Sequence, residues 1–251
     1  MKTFQASRYE LKYLIAESLA DAIRAEVLTH LNSDKNSMAG SRGYRVQSLY
    51  LDSKRLHCYQ DTLQGNKNRF KLRIRFYDNS EESPVFLEIK RRVTDVIQKK
   101  RAAVSRASAE KILRGHSPDP RMLLKDTPAE RDGLNTFFQL KEQLAASGRV
   151  YVDYFREAYQ NGSLNDYRVT FDRTICGSLY VPGSHLQMPD ISKMSEINAV
   201  VLEMKFVERP ADWMNDIARR FSLVPTSVPK YVECINALDL NKANSMGALH
   251  G

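Results

Sequence analysis

A chain of 251 residues with 42% hydrophobic and 27% charged side chains can bury a core, which argues against a disordered tail or a fibre. Its net charge of +8 points to anionic partners: nucleic acid, acidic lipid or phosphate compounds. Cys58, Cys176 and Cys234 are odd in number and form no CxxC pair, which speaks for reduced thiols and against a disulfide scaffold or a cysteine zinc site.

The N-terminal stretch MKTFQASRYELKYLI lacks a signal-peptide apolar region, and no apolar run approaches membrane-spanning length. A cytoplasmic location without a membrane segment is the expectation. In chain order, alternation predicts a strand over 9–15, and apolar residues at helical spacing predict a helix over 16–31. A polar loop follows at 32–43, then a strand at 44–53 and a short helix at 54–65 closed by Gly65. Strands are predicted at 69–77, 84–92 and 95–105, and helices at 108–115 and 128–146. A hairpin joins 149–160 to 167–179 around NGSLND. A strand at 199–208, a helix at 210–221 with Pro210 near its first turn, and a loop-then-helix at 225–238 complete the pattern. The expected fold is α+β: one domain over 1–240 built of antiparallel strands with helices packed outside, and a polar tail at 241–251.

The stretch NRFKLRIRFYD sets Arg69, Lys71, Arg73 and Arg75 at alternate positions, with Phe70, Leu72, Ile74 and Phe76 between them. One face of that strand is therefore cationic and the other apolar. The pattern recurs at Glu10 and Lys12, Glu88 and Lys90, Lys99 and Arg101, Arg168 and Asp172, and Glu203 and Lys205. A single such strand reads as one solvated sheet face. Six of them predict a closed barrel with a charged interior, because gathered cations repel one another unless an anion offsets them. Arginine binds phosphate oxygens in pairs and lysine acts as a point charge, so this set suits several phosphates in line. Glu10, Glu88 and Glu203 are hard oxygen donors of the kind Mg²⁺ or Mn²⁺ takes, or else each pairs with its neighbouring lysine. Gln47 stands at an alternate position where a charge would extend the pattern. The aromatics lie on the apolar faces rather than among the cations, which argues against nucleic acid. His30, His57, His116, His185 and His250 have no base partner in view and read as structural or surface residues.

The ordered set RYELKYLI, YRVQSLYLDS, GNKNRFKLRIRFY, VFLEIKRR, QKKRAAV, DYFREAY, YRVTFDRTI, VLEMKF and VPKYVECI resembles the VTC domain. That domain is the polyphosphate polymerase branch of the CYTH-like triphosphate tunnel metalloenzymes, and the likeness is to stand-alone bacterial forms. The resemblance implies an antiparallel barrel tunnel that binds triphosphate and a divalent metal, with Mn²⁺ favoured over Mg²⁺. Its members move the γ-phosphate of ATP onto a growing polyphosphate chain and release ADP, so ATP and polyphosphate are the implied partners. Position by position, it makes Lys12 a phosphate-binding lysine. Arg73 and Arg75 become paired tunnel arginines and Lys90 the tunnel lysine. Lys99, or Lys100, becomes a further contact. Arg156 and Arg168 match the hairpin arginines, Glu203 the metal-ligating glutamate, and Lys230 a lysine needed for transfer. With Arg69, Lys71, Arg101 and Lys205 these form the candidate phosphate grip. Lys230, Arg73, Arg75 and Lys90 are the candidate catalytic set, and Glu203, Glu10 and Glu88 the candidate metal ligands. The sequence carries neither the SPX domain nor the membrane module of the fungal complexes. Two other functions stay open: a metal-dependent triphosphatase built on the same tunnel, and a polyphosphate binder without catalysis.

Overall fold

The structure, a computed structural model, describes residues 8–34, 42–94, 96–161 and 167–242. In chain order these form β1 (Arg8–Ile15), α1 (Glu17–Leu28), β2 (Asn32–Ser33), β3 (Tyr44–Asp52), α2 (His57–Leu63), β4 (Arg69–Phe76), β5 (Val85–Val93) and β6 (Val96–Val104). Then come α3 (Arg106–Leu113), a 3₁₀ turn (Pro120–Met122), α4 (Pro128–Gln143), β7 (Ser147–Gln160), β8 (Tyr167–Leu179), β9 (Lys193–Met194), β10 (Val200–Val207), α5 (Asp212–Arg220) and α6 (Lys230–Ala237). The predicted elements all occur, with ends moved by a few residues. The two-residue strands β2 and β9 are additions too short to leave a periodic signature. Most of the predicted loop at 32–43, the tip of the predicted hairpin turn (162–166) and the tail from 243, including His250, lie outside the described residues.

The fold is α+β, and the pairings of β1 with β10, β10 with β8, β2 with β7, β3 with β4, β4 with β5, β5 with β6 and β8 with β9 are all antiparallel. Hydrogen-bonded strand order runs β1-β10-β8-β7-β3-β4-β5-β6, with β2 beside β7 and β9 beside β8. This order has two ends. The closed barrel expected from the charged faces is thus not formed among the described residues, because closure would require β1 and β6 to pair. Charge alternation reports which face of a strand is polar; it does not report whether the sheet's edges meet.

The chain divides into two compact units, each with a core of its own. In the unit made of Val46–Asp153, Ile175–Glu196 and Pro229–Gly251, the apolar face of β4 (Leu72, Ile74, Phe76) lies with Leu87 and Ile89 of β5 and Ala102 and Val104 of β6. Ala109 and Ile112 of α3 and Leu134 and Phe137 of α4 cover it. Burying each large apolar side chain contributes about 1.5–3 kcal/mol. The helices start where they do because Ser105 and Thr127 accept from the backbone N–H of Ser108 and Glu130 at 3.1 and 3.3 Å. Pro128 then fills the first position of α4. Gln47 lies opposite Phe76 in the β3–β4 register, on the apolar side; Ser48 and Tyr50 hold the charged-side positions opposite Arg75 and Arg73. The expected gap in the charge pattern at Gln47 therefore falls on the wrong face to matter.

The other unit comprises Met1–Arg45, Tyr154–Thr174 and Ile197–Val228. Its core joins Tyr13 and Ile15 of β1, Leu202, Met204 and Phe206 of β10, and Val169 and Phe171 of β8 to Ala20, Ile23 and Val27 of α1 and Met214 and Ile217 of α5. A buried ion network reinforces this side. Arg24 Nε and Nη2 donate to Glu157 at 2.6 and 3.1 Å, and Arg173 Nη1 donates to the same carboxylate at 2.7 Å.

Gly133 of α4 packs directly on β6: a Cβ there would sit 2.5 Å from the Arg101 carbonyl oxygen. Helix propensity alone says that Gly133→Ala stabilises by about 1 kcal/mol. The close approach predicts the opposite sign, a loss of about 1–3 kcal/mol in urea unfolding, from overpacking.

Candidate functional site

Strand register brings the alternating charges into rows. Across β4, β5 and β6, Lys71 lies opposite Lys90 and Lys90 opposite Lys99, so three lysines follow one another on three adjacent strands. The next row is Arg73, Glu88 and Arg101, and beyond it Arg75, Phe86 and Ala103. On the other side of the lysine row, Arg69 faces Arg92. Directly opposed like charges oppose sheet pairing. The apolar face behind them must offset that repulsion. The register also decides between Lys99 and Lys100. Lys99 shares the row of Lys71 and Lys90, whereas Lys100 points to α4 and donates to Asp132 at 2.9 Å and Thr136 at 3.0 Å.

Glu88 sits at the centre of this face. Its Oε2 accepts from Arg73 Nε at 2.7 Å and lies 2.7 Å from Arg73 Nη2 and 3.8 Å from Arg75 Nε; its Oε1 lies 3.7 Å from Arg101 Nε. Burial alone would raise the Glu88 pKa, but Arg73, Arg75 and Arg101 outweigh it and hold the carboxyl down at about 2. Arg73 Nη1 also donates to Tyr50 Oη at 3.1 Å. The Arg101 guanidinium stacks on Phe86, 3.5 Å from the ring centre. Arg69 donates to the Asn66 carbonyl.

Lys230 opens α6 and is buried, with 9% of its surface exposed. A cation at a helix N-terminus meets the positive end of the helix dipole, so this position costs stability. Its neighbour Tyr231 is pinned. Tyr231 Oη donates to Asp52 at 2.7 Å, its ring stacks on Tyr50 at 4.8 Å, and Lys71 Nζ lies 5.9 Å from the ring centre. Asp52 is fully buried and also accepts from the backbone N–H of Ser53, Cys58 and Tyr59 at 2.7, 3.0 and 3.0 Å, tying the start of α2 to the same point. Burial first, then the Asp52 charge, pushes the Tyr231 pKa far up, so its hydroxyl stays a donor. Sequence reading missed Asp52 and Tyr231. Their only local signal was a carboxylate just before a helix start.

In the other unit, Glu10 faces Lys205 and Lys205 faces Arg168; Lys12 faces Glu203 and Glu203 faces Thr170. Lys12 Nζ lies 3.1 Å from Glu10 and 3.4 Å from Glu203, and Lys205 Nζ lies 2.6 Å from Glu203 and 3.9 Å from Glu10. Arg156 grips the buried Asp172 through two bonds of 2.6 Å and reaches Glu203 at 3.5 Å. Burial disfavours the Arg156 charge, but Asp172, Tyr154 and Glu203 more than compensate and keep it ionised. Arg168 donates to Gln160 at 2.6 Å and pairs with Asp34, which sequence reading also missed. Both hairpin arginines are thus engaged by carboxylates of their own unit.

A family model described as the VTC domain matches residues 7–239. The chain belongs to the VTC domain family. No curated protein matches it significantly. Among solved structures it is similar to a candidate adenylate cyclase from Bacillus halodurans, at 14% identity and TM-score 0.48, covering 89% of this chain and 95% of that one. It is also similar to a candidate adenylate cyclase from Vibrio parahaemolyticus, at 11% identity and TM-score 0.45, covering 90% and 97%.

VTC domains are in general divalent-metal dependent. No cluster of three or more His, Cys, Asp or Glu occurs among the described residues. Glu10 and Glu203 nonetheless fit such an ion. Two carboxylates meet through shared lysines, and the facing Thr170 Oγ1 is buried without a hydrogen-bond partner. Mg²⁺ and its analogues need only one or two carboxylates when phosphate completes the shell. Glu88 does not fit: Arg73 and Arg101 stand opposite it on the two neighbouring strands, and β4–β6 hold no second carboxylate to share an ion with it. No described helix of this VTC domain is long and apolar enough to cross a membrane. Cys58, Cys176 and Cys234 are buried and form no disulfide, and burial first pushes the Cys234 pKa up to about 12.

Two outcomes follow for stability. Because the Glu88 pKa is depressed in the fold, the stability it contributes is present above about pH 4.5 and is lost as pH falls towards 2. Thermal melts of wild type and Glu88→Gln will differ at pH 5 by up to about 3 kcal/mol and converge near pH 2. Tyr231→Phe will cost about 1 kcal/mol in urea unfolding, because Asp52 keeps its three backbone donors.

Proposed function

We propose that this VTC domain is a polyphosphate polymerase, transferring the γ-phosphate of ATP to the end of a growing inorganic polyphosphate chain. One observation carries the reading: the Lys71–Lys90–Lys99 row, flanked by arginine rows, which opposes strand pairing and is accounted for by a linear polyanion lying along it.

A terminal phosphate oxygen of the acceptor chain attacks Pγ of ATP, the bond from Pγ to the β,γ-bridging oxygen breaks, and ADP leaves with that oxygen. The acceptor is its own nucleophile, so no side chain need form a covalent bond. What the protein supplies is position and positive charge. Arg75, Lys90, Lys71, Lys99 and Arg101 bind non-bridging oxygens, with Arg69 at the end of the face; Lys12 and Lys205 add charge beside the metal ligands. Lys230 and Arg73 offset charge at the phosphate being transferred. The burial of Lys230 at a helix N-terminus, where a cation costs stability, favours a functional reason for keeping it. Glu10 and Glu203 would hold a divalent ion, Mn²⁺ or Mg²⁺, which would supply charge neutralisation to phosphate bound beside them. Arg156 orients Glu203, and Arg168 orders the neighbouring strand face.

Incubation with ATP and Mn²⁺, with Mg²⁺ in parallel, is expected to give a ladder of long chains on a gel together with ADP. Orthophosphate without chains would make the protein a triphosphatase, and bound but unconsumed polyphosphate would make it a binder. Lys230→Ala and Arg73→Ala are each expected to lower turnover at least about 100-fold while keeping a cooperative melt. Full turnover in both would remove the assignment.

A further inference from the structure

Glu88 is the one carboxylate in the β4–β6 rows, and nothing in its surroundings resembles a metal site. Arg73 spends Nε and Nη2, the edge with which a guanidinium grips a phosphate in a bidentate way, on Glu88 Oε2. Its remaining Nη1 is turned to Tyr50. Arg75 and Arg101 stand at 3.8 and 3.7 Å from the same carboxylate, one on the same strand as Arg73 and one across β5. The adjacent lysine row holds no carboxylate. A phosphate chain lying along this face would therefore meet a strongly cationic row and then a row whose charge is partly cancelled from within.

We propose that Glu88 is a built-in counter-anion that competes with phosphate for Arg73 and so weakens the hold of this face on its ligand, and that it is not a metal ligand. The proposal rests on the reading of the face as a phosphate grip. The physical reason is passage. A chain that must move through a series of sites needs each site attractive enough to enter and weak enough to leave. An uninterrupted bank of lysines and arginines would hold a long polyanion too tightly to let it advance. A carboxylate fixed beside Arg73 lowers the local charge without removing the hydrogen-bonding fork, and it keeps that fork ordered when no phosphate is present. No second carboxylate stands in β4–β6 to share an ion with Glu88, and a cation approaching it meets the like charge of Arg73, Arg75 and Arg101.

The test is calorimetric titration of the full chain with inorganic tripolyphosphate in EDTA, for wild type, Glu88→Gln and Glu88→Asp, with Mn²⁺ binding followed separately. Glu88→Gln is expected to bind tripolyphosphate about tenfold more tightly, with a steeper loss of affinity as salt rises. Glu88→Asp, which keeps the charge but withdraws it by one methylene, is expected to fall between. Mn²⁺ affinity is expected to stay within about twofold of wild type in both, and to drop in a Glu203→Gln control. Unchanged or weaker tripolyphosphate binding in folded Glu88→Gln overturns the proposal, as does a loss of Mn²⁺ affinity in either variant. Equal binding by all three proteins removes only the role of Glu88. Failure of every protein to bind tripolyphosphate removes the phosphate-grip reading as well. If Glu88→Gln does not fold, Glu88→Asp decides on the same criteria. None of these readings requires turnover.

Discussion

A strand bearing a cation at every second position folds only if its other side buries enough apolar surface to outweigh the repulsion. That balance is the constraint on which this protein rests. Leu72, Ile74 and Phe76 sit under α3 and α4 while Lys71, Arg73 and Arg75 stand on the reverse. In the other unit Tyr13 and Ile15 lie under α1 and α5 while Glu10 and Lys12 stand on the reverse. The helices are therefore more than decoration: without them neither charged face could be held in register. Each unit solves the same problem with different counter-charges. Near β1 and β10 the lysines and glutamates interleave and neutralise one another. On β4, β5 and β6 the cations dominate and a single glutamate sits among them.

The hydrogen-bond network around Asp52 gives the second layer of order. One buried carboxylate collects three backbone donors and a tyrosine hydroxyl, and so joins the end of β3, the start of α2 and the start of α6 at one point. The tyrosine it holds is the residue after Lys230. Its ring lies on Tyr50, which in turn accepts from Arg73. A short run of contacts thus connects the residue after a lysine of α6 to an arginine of β4 through two aromatic rings.

Much of this was legible in the sequence, and the reason is periodicity. Alternation over 69–77, 84–92 and 199–208 located the strands to within a residue and told which residues share a side, since a strand's side chains alternate without exception unless a bulge intervenes. Spacing within one strand could not tell which residues of different strands stand opposite each other. The row of Lys71, Lys90 and Lys99, the choice between Lys99 and Lys100, and the placing of Gln47 on the apolar side all needed the register. Closure of the barrel was not legible for the same reason: whether β1 meets β6 depends on strand order, not on the pattern within either. Asp34 and Asp52, which hold Arg168 and Tyr231, were hidden because a lone aspartate in a loop or strand carries no sign of its distant partner, and Asp172 was placed on the charged face without its partner Arg156.

The three cysteines carry a practical consequence. Each thiol is enclosed, and that of Cys234 ionises only in strongly alkaline solution. Oxidants and alkylating reagents attack the thiolate, which at neutral pH is almost absent at Cys234. The Cys234 thiol should therefore react slowly in the folded chain and quickly once it unfolds, so its labelling doubles as a gauge of how much of a preparation is native.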